Sequence, residues 1–306
     1  MASRSKEQHP GLHLLDPAVV RSIRALQVQA QTIVEGALTG LHKSHLKGSS
    51  VEFSEFKEYS PGDEIRHIDW RTYARTDRFF VKQFEEDTNL RAYLALDRSG
   101  SMSFASDETP SKANYGILLG AALAYLFIKQ GDAVGLMTFD SKPRTYLPSQ
   151  ARPGHLDDLL RVLSEPYRPR ASLTNISSTL KELTERLSKR SMILVISDFI
   201  DLDPSALEAL KIVRSAGHDL SLFHMVDRAE LTFPFEGLTC FEGLEGEGEL
   251  IVDPDDIRTQ YLEEIRRHHD TIKKTCVLHN ITYQRVLTET PLKQIVHNYI
   301  LARRSA

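Results

Sequence analysis

The sequence predicts an α/β fold with a doubly wound, mostly parallel sheet, preceded by an amino-terminal helix and a small β-rich subdomain. After residue 89, short apolar runs typical of buried strands alternate with longer segments of helical periodicity. Two runs, 133–139 and 144–147, are separated only by a turn, which predicts one antiparallel edge pair. Residues 48–89 instead show short alternating strands interrupted by a turn sequence, which favours a separate β-rich segment.

The predicted elements follow in order along the chain. Residues 16–41 carry apolar residues at helical spacing, with Asp16 as the cap and Pro17 in the first turn. The predicted strands after residue 89 are 92–96, 133–139, 144–147, 192–197, 220–225 and 282–287. The predicted helices there are 112–129, 155–163, 176–187, 204–215, 256–279 and 292–303.

Three regions are therefore expected. We expect residues 1–15 to be disordered, residues 16–89 to form the helix and the β-rich subdomain, and residues 90–306 to form the α/β domain. A chain of 306 residues is long enough to bury a sizeable core in such an arrangement.

The composition is that of a soluble globular protein. Apolar residues make up 41% of the chain and charged residues 26%, and a net charge of −4 gives no general attraction to nucleic acid. No apolar run reaches the roughly 20 residues that a membrane-spanning helix needs, and the first ten residues lack the apolar stretch of a secretory signal. Cys240 and Cys276 have no metal-type spacing. We expect a cytoplasmic protein without a transmembrane segment or a nucleic acid partner.

Five oxygen-bearing side chains form the main candidate site. They are Asp97, Ser99, Ser101, Thr174 and Asp198. The first three form a DxSxS run directly after a strand-like run, and Asp198 ends another such run. Because open α/β sheets bind ligands at the carboxyl ends of their strands, we expect both carboxylates at that edge. Carboxylates and hydroxyls suit hard cations, so the sequence predicts a site for Mg²⁺ or another divalent cation such as Mn²⁺ or Ca²⁺.

A purely structural role is the alternative for the same residues. Ser and Asp oxygens also cap helices and close turns, and a Thr ahead of a helix is commonly only a cap. Thr174 is for that reason the least secure member of the set. A DxSxS run alone is a weak motif, whereas three elements in the right order favour the metal site. If the site only caps strand ends, Mg²⁺ leaves the melting temperature unchanged.

In order and type, these five residues resemble the metal-ion-dependent adhesion site of von Willebrand factor A domains. A second resemblance is carried by upstream residues at fixed spacing, which are Glu52, Phe53, Glu55, Phe56, Tyr59, Pro61, Gly62, Asp63, Arg66, Ile68, Asp69, Trp70, Ala74, Arg75, Val81, Lys82, Phe84 and Glu85. In these residues the chain is similar to the bacterial family called domain of unknown function 58, which joins such a segment to an A-type domain. The two resemblances together cover roughly residues 40–300 and imply a von Willebrand factor A-like domain over 90–306.

The resemblance also implies a function. In A-type domains, an acidic side chain of a protein partner completes the coordination of the metal, so the chemistry is recognition without bond breaking. Members of the resembling family are often encoded beside MoxR-type AAA+ ATPases. The chain is accordingly expected to be a non-enzymatic, metal-dependent adaptor that helps such an ATPase remodel or mature client proteins.

An enzyme is the competing interpretation. Asp97 after a buried strand also resembles the nucleophile of haloacid-dehalogenase-type phosphatases. Those enzymes carry a second Asp two residues later as general acid, where this chain has Ser99. Loss of such an acid removes a catalytic contribution of about 10²–10⁴-fold. A metal-dependent phosphatase or other hydrolase that uses Asp97 is thus the alternative function, and no catalytic residue is assigned.

Residues 62–75 mix the only Trp with several Arg and acidic residues and have no simple amphipathic period. Arg66, Asp69, Trp70 and Arg75 are expected to form a buried Arg–Asp network. A partner-docking surface, or an Arg platform for phosphate, is the alternative.

Two further polar features are expected on solvated surfaces. They are the acidic glycine-rich loop 242–249 and the pair His268 and His269 within a charged helix. Neither feature is assigned to the metal site.

Overall fold

The computed structural model describes residues 17–39, 53–58, 80–84, 90–106, 109–167, 174–200 and 202–304. The chain divides into two compact units, residues 1–40 with 91–306 and residues 41–90. This division differs from the expected regions, because the amino-terminal helix belongs with the sheet and not with the β-rich segment. The expected disorder of residues 1–15 falls outside the described residues.

The smaller unit contains two antiparallel strands. They are β1, Phe53–Glu58, and β2, Phe80–Phe84. Phe56 pairs with Lys82, and the register shifts by a bulge between Phe53 and Glu55.

The larger unit contains the remaining elements. Its helices are α1 Pro17–Thr39, α2 Lys112–Lys129, α3 His155–Leu163, α4 Ile176–Arg186, α5 Pro204–Ser215, α6 Arg228–Thr232, α7 Pro254–Leu278 and α8 Leu292–Arg304. Its strands are β3 Arg91–Asp97, β4 Ala133–Phe139, β5 Pro143–Gln150, β6 Met192–Ser197, β7 Asp219–Val226, β8 Thr239–Glu242, β9 Glu249–Val252 and β10 Thr282–Leu287.

Six of these strands form one sheet in the order β10-β7-β6-β3-β4-β5. Every neighbouring pair is parallel except β4 and β5, which are antiparallel at the sheet edge. The predicted mostly parallel sheet with one antiparallel edge pair is therefore confirmed. Each predicted strand and helix of this region lies within a few residues of an observed one.

One face of the sheet packs against α4, α5 and α7. Ala95 and Val195, from the two central strands, share a buried cluster with Leu180, Leu210 and Cys276 from these helices. Strands buried on both faces read as continuous apolar runs, which is why β3 and β6 have no polar alternation.

The opposite face packs against α2 and α8. A Cβ atom built on Gly116 of α2 would lie 3.3 Å from Ile196 and 3.4 Å from Leu96, so the missing side chain lets this helix lie close to the sheet. On the same face, the ring of Phe223 lies 5.2 Å from that of Tyr299 in α8.

Helix α1 packs on α2, α3 and α8, which explains its place in the larger unit. Its apolar stripe includes Ala30 and Val34, which are fully buried, and Ala37. The carbonyl oxygen of Ala37 lies 3.1 Å from Nδ1 of His297 in α8. The apolar residues at helical spacing in the sequence therefore lie on the face of α1 that packs against other helices.

Three elements were not predicted from the sequence: α6 and the hairpin of β8 and β9. All are five residues or shorter, too short for a periodic pattern to be recognised. Among the described residues, no helix combines the length and the apolar character that crossing a bilayer requires.

Candidate metal and carboxylate site

Two neighbouring central strands of the sheet end at the predicted site. Asp97 is the last residue of β3, and Asp198 directly follows β6, the strand paired beside it. Ser99 and Ser101 lie in the loop and the short 3₁₀ helix, Gly100–Ser103, that lead away from β3. The structure thus gathers four of the five predicted residues at the carboxyl edge, and all four are buried.

Hydrogen bonds hold the Asp97 carboxyl group in place. The backbone N–H of Ser99 donates to Oδ1 at 2.9 Å, and the hydroxyl of Ser197 donates to Oδ2 at 2.5 Å. Oγ of Ser197 also accepts from the backbone N–H of Phe199 at 3.0 Å. Ser197 was not among the predicted residues. It is the polar end of an apolar strand run, the same signal that singled out its neighbour Asp198.

The two serines of the DxSxS run present their hydroxyl oxygens side by side. Oγ of Ser99 lies 3.1 Å from Oγ of Ser101. On the other side of the loop, the phenol of Tyr167 donates a hydrogen bond to the carbonyl oxygen of Ser99. The loop is therefore held with both hydroxyls close to Asp97.

The cluster brings two buried carboxyl groups, those of Asp97 and Asp198, close together. Burial first, and the nearby charge of Asp198 second, raise the pKa of Asp97 from 3.8 to about 7. Two carboxylates that repel one another in a desolvated site favour the uptake of a proton or a cation.

Lys112, at the start of α2, brings a positive charge into the site. Its Nζ donates to Oδ2 of Asp198 at 2.8 Å and to Oε1 of Glu230 at 2.6 Å, and its side chain is fully buried. Burial opposes the charged ammonium, but the two carboxylates outweigh it and raise the pKa of Lys112 above its usual value. A lysine in a first helical turn reads as an exposed residue in the sequence, so this role was not predicted.

Most of the acidic loop between β8 and β9 is exposed, as expected, but the side chain of Glu245 enters the site. Oε1 of Glu245 accepts from the backbone N–H of Ser101 at 3.1 Å and from the hydroxyl of Thr174 at 3.4 Å. Only 9% of Glu245 is exposed. Thr174, the fifth predicted residue, thus reaches the same cluster through Glu245.

The residues present fit a hard divalent cation at one side of the cluster. Asp97, Ser99 and Ser101 offer clustered oxygen atoms, which are the donors that such ions take. Asp198 has one oxygen engaged by Lys112, while its Oδ1 accepts a long 3.4 Å bond from the backbone N–H of Ile200.

The ammonium of Lys112 is shared between the carboxylates of Asp198 and Glu230. Within the described part of the chain, no group of three or more His, Cys, Asp or Glu side chains is placed to hold a metal ion. The predicted donor set differs from such a group, because it has two carboxylates and three hydroxyls.

A cavity of about 280 Å³ opens beside the cluster. Lys112 and Glu230 line it together with apolar and aromatic side chains that include Phe104, Ile200 and Phe241. The site thus lies at the edge of an apolar pocket.

Two further predictions concern the Arg–Asp network and the histidine pair. Arg66, Asp69, Trp70 and Arg75 lie outside the described residues, so the proposed network is not tested. The expectation that His268 and His269 lie on a solvated surface is met only in part, because both side chains are half-buried.

The histidine pair packs against the sheet. Nε2 of His268 lies 2.9 Å from the carbonyl oxygen of Phe199, and the ring of His269 lies 4.7 Å from that of the buried His224 in β7.

Two solved structures are similar to this chain at a low level. BatB, a conserved hypothetical protein from Bacteroides thetaiotaomicron, matches with a TM-score of 0.46 and 20% identity, over 71% of this chain and 100% of that one. An aerotolerance-related membrane protein from Bacteroides fragilis NCTC 9343 matches with a TM-score of 0.44 and 20% identity, over 70% of this chain and 97% of that one.

Two relatives are similar in sequence. The uncharacterized protein Rv1480 of Mycobacterium tuberculosis (strain ATCC 25618 / H37Rv) is 25% identical over 264 residues, which cover 85% of this chain and 82% of that protein. The uncharacterized protein YeaD of Bacillus subtilis (strain 168) is 29% identical over 130 residues, or 42% of this chain and 30% of that protein.

The family itself is identified by a match over most of the chain. Residues 55–271 match the family described as protein of unknown function DUF58. The resemblance read from the upstream residues is confirmed, and the chain belongs to the DUF58 family.

Proposed function

We propose that this chain is a non-enzymatic adaptor, with a von Willebrand factor A-like domain that binds a protein partner through a divalent cation. The observation that carries the proposal is the buried cluster of Asp97, Ser99 and Ser101 beside Asp198, at the carboxyl ends of two neighbouring strands. Thr174 is the fifth proposed ligand, at the Glu245 side of the cluster. Mg²⁺ is the proposed ion, with Mn²⁺ and Ca²⁺ as substitutes.

The residues have separate roles in this proposal. Asp97 and the two serines hold the cation, while Ser197 and the backbone of Ser99 orient the Asp97 carboxyl group. When bound, the cation supplies an electrophilic position that accepts a carboxylate from the partner. Lys112 balances part of the negative charge by pairing with Asp198 and Glu230.

The partner belongs to the finer part of the proposal. An acidic side chain on a protein is the expected ligand, and a MoxR-type AAA+ ATPase acting on client proteins is the partner implied by the family resemblance. Cytoplasmic residence is supported by the two cysteines, both free thiols, which suit a reducing compartment.

A pull-down in Mg²⁺ and in EDTA tests the adaptor. Partner capture by the wild type is expected in Mg²⁺ and lost in EDTA, in Asp97→Ala and in Ser99→Ala. Asp157→Ala is the matched control, because this exposed residue of α3 lies outside the site. Capture that is indifferent to the metal and to both site variants contradicts the proposal.

The alternative, a metal-dependent phosphatase or other hydrolase, is tested with the same variants. It requires turnover of a generic phosphoester such as p-nitrophenyl phosphate that disappears in Asp97→Ala. The adaptor proposal expects no turnover by any of the proteins.

A further inference from the structure

The loop that joins β8 to β9 places a carboxylate of the chain itself in the proposed site. Glu245 contacts two of the five proposed ligand residues, Ser101 through its backbone and Thr174 through its hydroxyl. The loop is far away in the sequence, because Glu245 comes 144 positions after Ser101. Such a contact comes only from the fold.

The loop is built to deliver this side chain. The backbone N–H of Gly243 donates to the carbonyl oxygen of Gly248 at 2.7 Å, which closes the loop. Inside it, the backbone N–H of Glu245 donates to Oε2 of Glu247 at 3.0 Å. Gly246 has a φ of 94°, a conformation that favours glycine and turns the chain just after Glu245.

The surface that receives the loop is equally specific. A Cβ atom built on Gly100 would lie 2.2 Å from the carbonyl oxygen of Leu244, so the middle of the DxSxS run needs a glycine for the loop to approach. Nearly all of Glu245 is buried, whereas Leu244 is 41% exposed and Glu247 and Glu249 are exposed. The loop therefore turns one carboxylate inward and the others outward.

We propose that Glu245 is the chain's own carboxylate ligand for the site, and that it occupies the place of a partner's acidic side chain in the free protein. The inference rests on the proposed function, because it assigns Glu245 the position that an acidic partner takes. A partner carboxylate then binds only after the 242–249 loop has moved away. The adaptor is closed by default, and the loop sets how strongly a partner has to compete.

Hydrogen exchange with mass spectrometry tests the proposal on the full chain. Exchange is measured in two segments, residues 241–249 for the loop and residues 97–104 for the DxSxS run. Each segment is followed in Mg²⁺ and in EDTA. The variants are Glu245→Gln, which removes the charge and keeps the shape, and Asp97→Ala. Glu249→Gln is the matched control, because it makes the same change at an exposed position of the same hairpin.

The expected result has two parts. Glu245→Gln raises exchange in the loop by about tenfold, because a charge-assisted hydrogen bond is lost, and Glu249→Gln leaves it near the wild-type rate. Mg²⁺ slows exchange of the loop in the wild type, but does not do so in Glu245→Gln or in Asp97→Ala.

Other results separate the two proposals. If Mg²⁺ protects residues 97–104 while Glu245→Gln leaves the loop unchanged, the inference is overturned and the metal-dependent site stands. If Mg²⁺ changes neither segment of the wild type, the proposed metal site fails, and with it the role of Glu245 as its ligand. Equal loop exchange in Glu245→Gln and Glu249→Gln also overturns the inference.

Discussion

Nζ of Lys112 lies 2.8 Å from Oδ2 of Asp198, with 0% and 3% of the two side chains exposed. The second proposed metal ligand is therefore already paired with a cation of the protein. The same ammonium also contacts Glu230, which completes the capping box of α6 by accepting from the backbone N–H of Asp227. One buried lysine thus links the edge of the sheet, α2 and α6.

Replacing Lys112 tests how much this buried ion pair contributes to the free energy of unfolding. We expect Lys112→Met to lower the free energy of unfolding by about 3–5 kcal/mol, because it leaves buried carboxylates without their counter-ion. Urea denaturation measures the change. Lys129→Met, at the exposed end of the same helix, is the control and is expected to cost at most about 1 kcal/mol. A similar cost for both variants would contradict a structural role for the buried pair.

Asp97→Asn separates two effects of the buried carboxylate: the loss of stability that its charge causes and the binding of a metal ion. Because the folded protein raises the pKa of Asp97 from 3.8 to about 7, ionisation of this group destabilises the fold, and at pH 8 that cost is fully present. In EDTA at pH 8 we therefore expect Asp97→Asn to melt at a higher temperature than the wild type. In Mg²⁺ we expect the wild type alone to gain stability.

Differential scanning fluorimetry measures both effects on Asp97. Asp157→Asn is the matched control, since it changes the same group at an exposed position. The charge argument fails if Asp97→Asn lowers the melting temperature in EDTA at pH 8. The metal argument fails if Mg²⁺ raises the melting temperature of the variant as much as that of the wild type.

Gly100→Ala tests the close approach of the acidic loop. An added methyl group would clash with the carbonyl oxygen of Leu244, so we expect the loop to be displaced and the free energy of unfolding to fall by about 1–3 kcal/mol. Limited proteolysis within 242–249 and urea denaturation report the two effects. Gly36→Ala is the control, because among the described residues its new methyl group meets Lys293 alone, at 3.9 Å, and because alanine improves helix propensity. Unchanged cleavage of the loop in Gly100→Ala would rule out the close contact.

The histidine cluster predicts how stability responds to acid. Burial, followed by the charges of His268 and Arg285, lowers the pKa of His269 from 6.5 to about 4. The unfolded chain takes up this proton near pH 6.5 and the folded chain only near pH 4, so His269 makes the free energy of unfolding fall as pH drops between these values. Asp97, with its raised pKa, contributes with the opposite sign in the same range. We expect His269→Gln to weaken that decline.

Urea midpoints between pH 7 and pH 4.5 measure the decline. His297→Gln, on the distant helix α8, is the control and is expected to keep the wild-type slope. The slope that remains in His269→Gln includes His224 and His218, whose pKa burial also lowers, and the opposite contribution of Asp97. Identical slopes in His269→Gln and the wild type would contradict the assignment.

The sheet was predictable because its strands are buried on both faces. Continuous apolar runs such as 192–197 differ sharply from the helical periodicity of 204–215, and the turn between 139 and 143 leaves no room for a crossover. The hairpin of β8 and β9 was not predictable in this way. Its strands have four residues each and are largely exposed, so no burial pattern marks them.

The two aspartates of the site were predictable for a related reason. Asp97 and Asp198 each end an apolar run, and strands that are neighbours in a parallel sheet bring their carboxyl ends together. Ser197 was not predicted, because only its neighbour Asp198 was considered as the functional residue at the end of this strand. Lys112 was missed because its sequence context is that of an exposed helix start.

The sequence by itself determined the α/β class, the positions of the strands along the chain and the oxygen-rich DxSxS loop. All three depend on periodicity and on the chemistry of residues that are close together in the sequence. Only the tertiary structure decided which charges meet. It pairs Lys112 with Asp198 across 86 positions and brings Glu245 to Ser101 across 144. Contacts of this kind depend on how helices and loops fold over the sheet edge, and no local pattern encodes their partners.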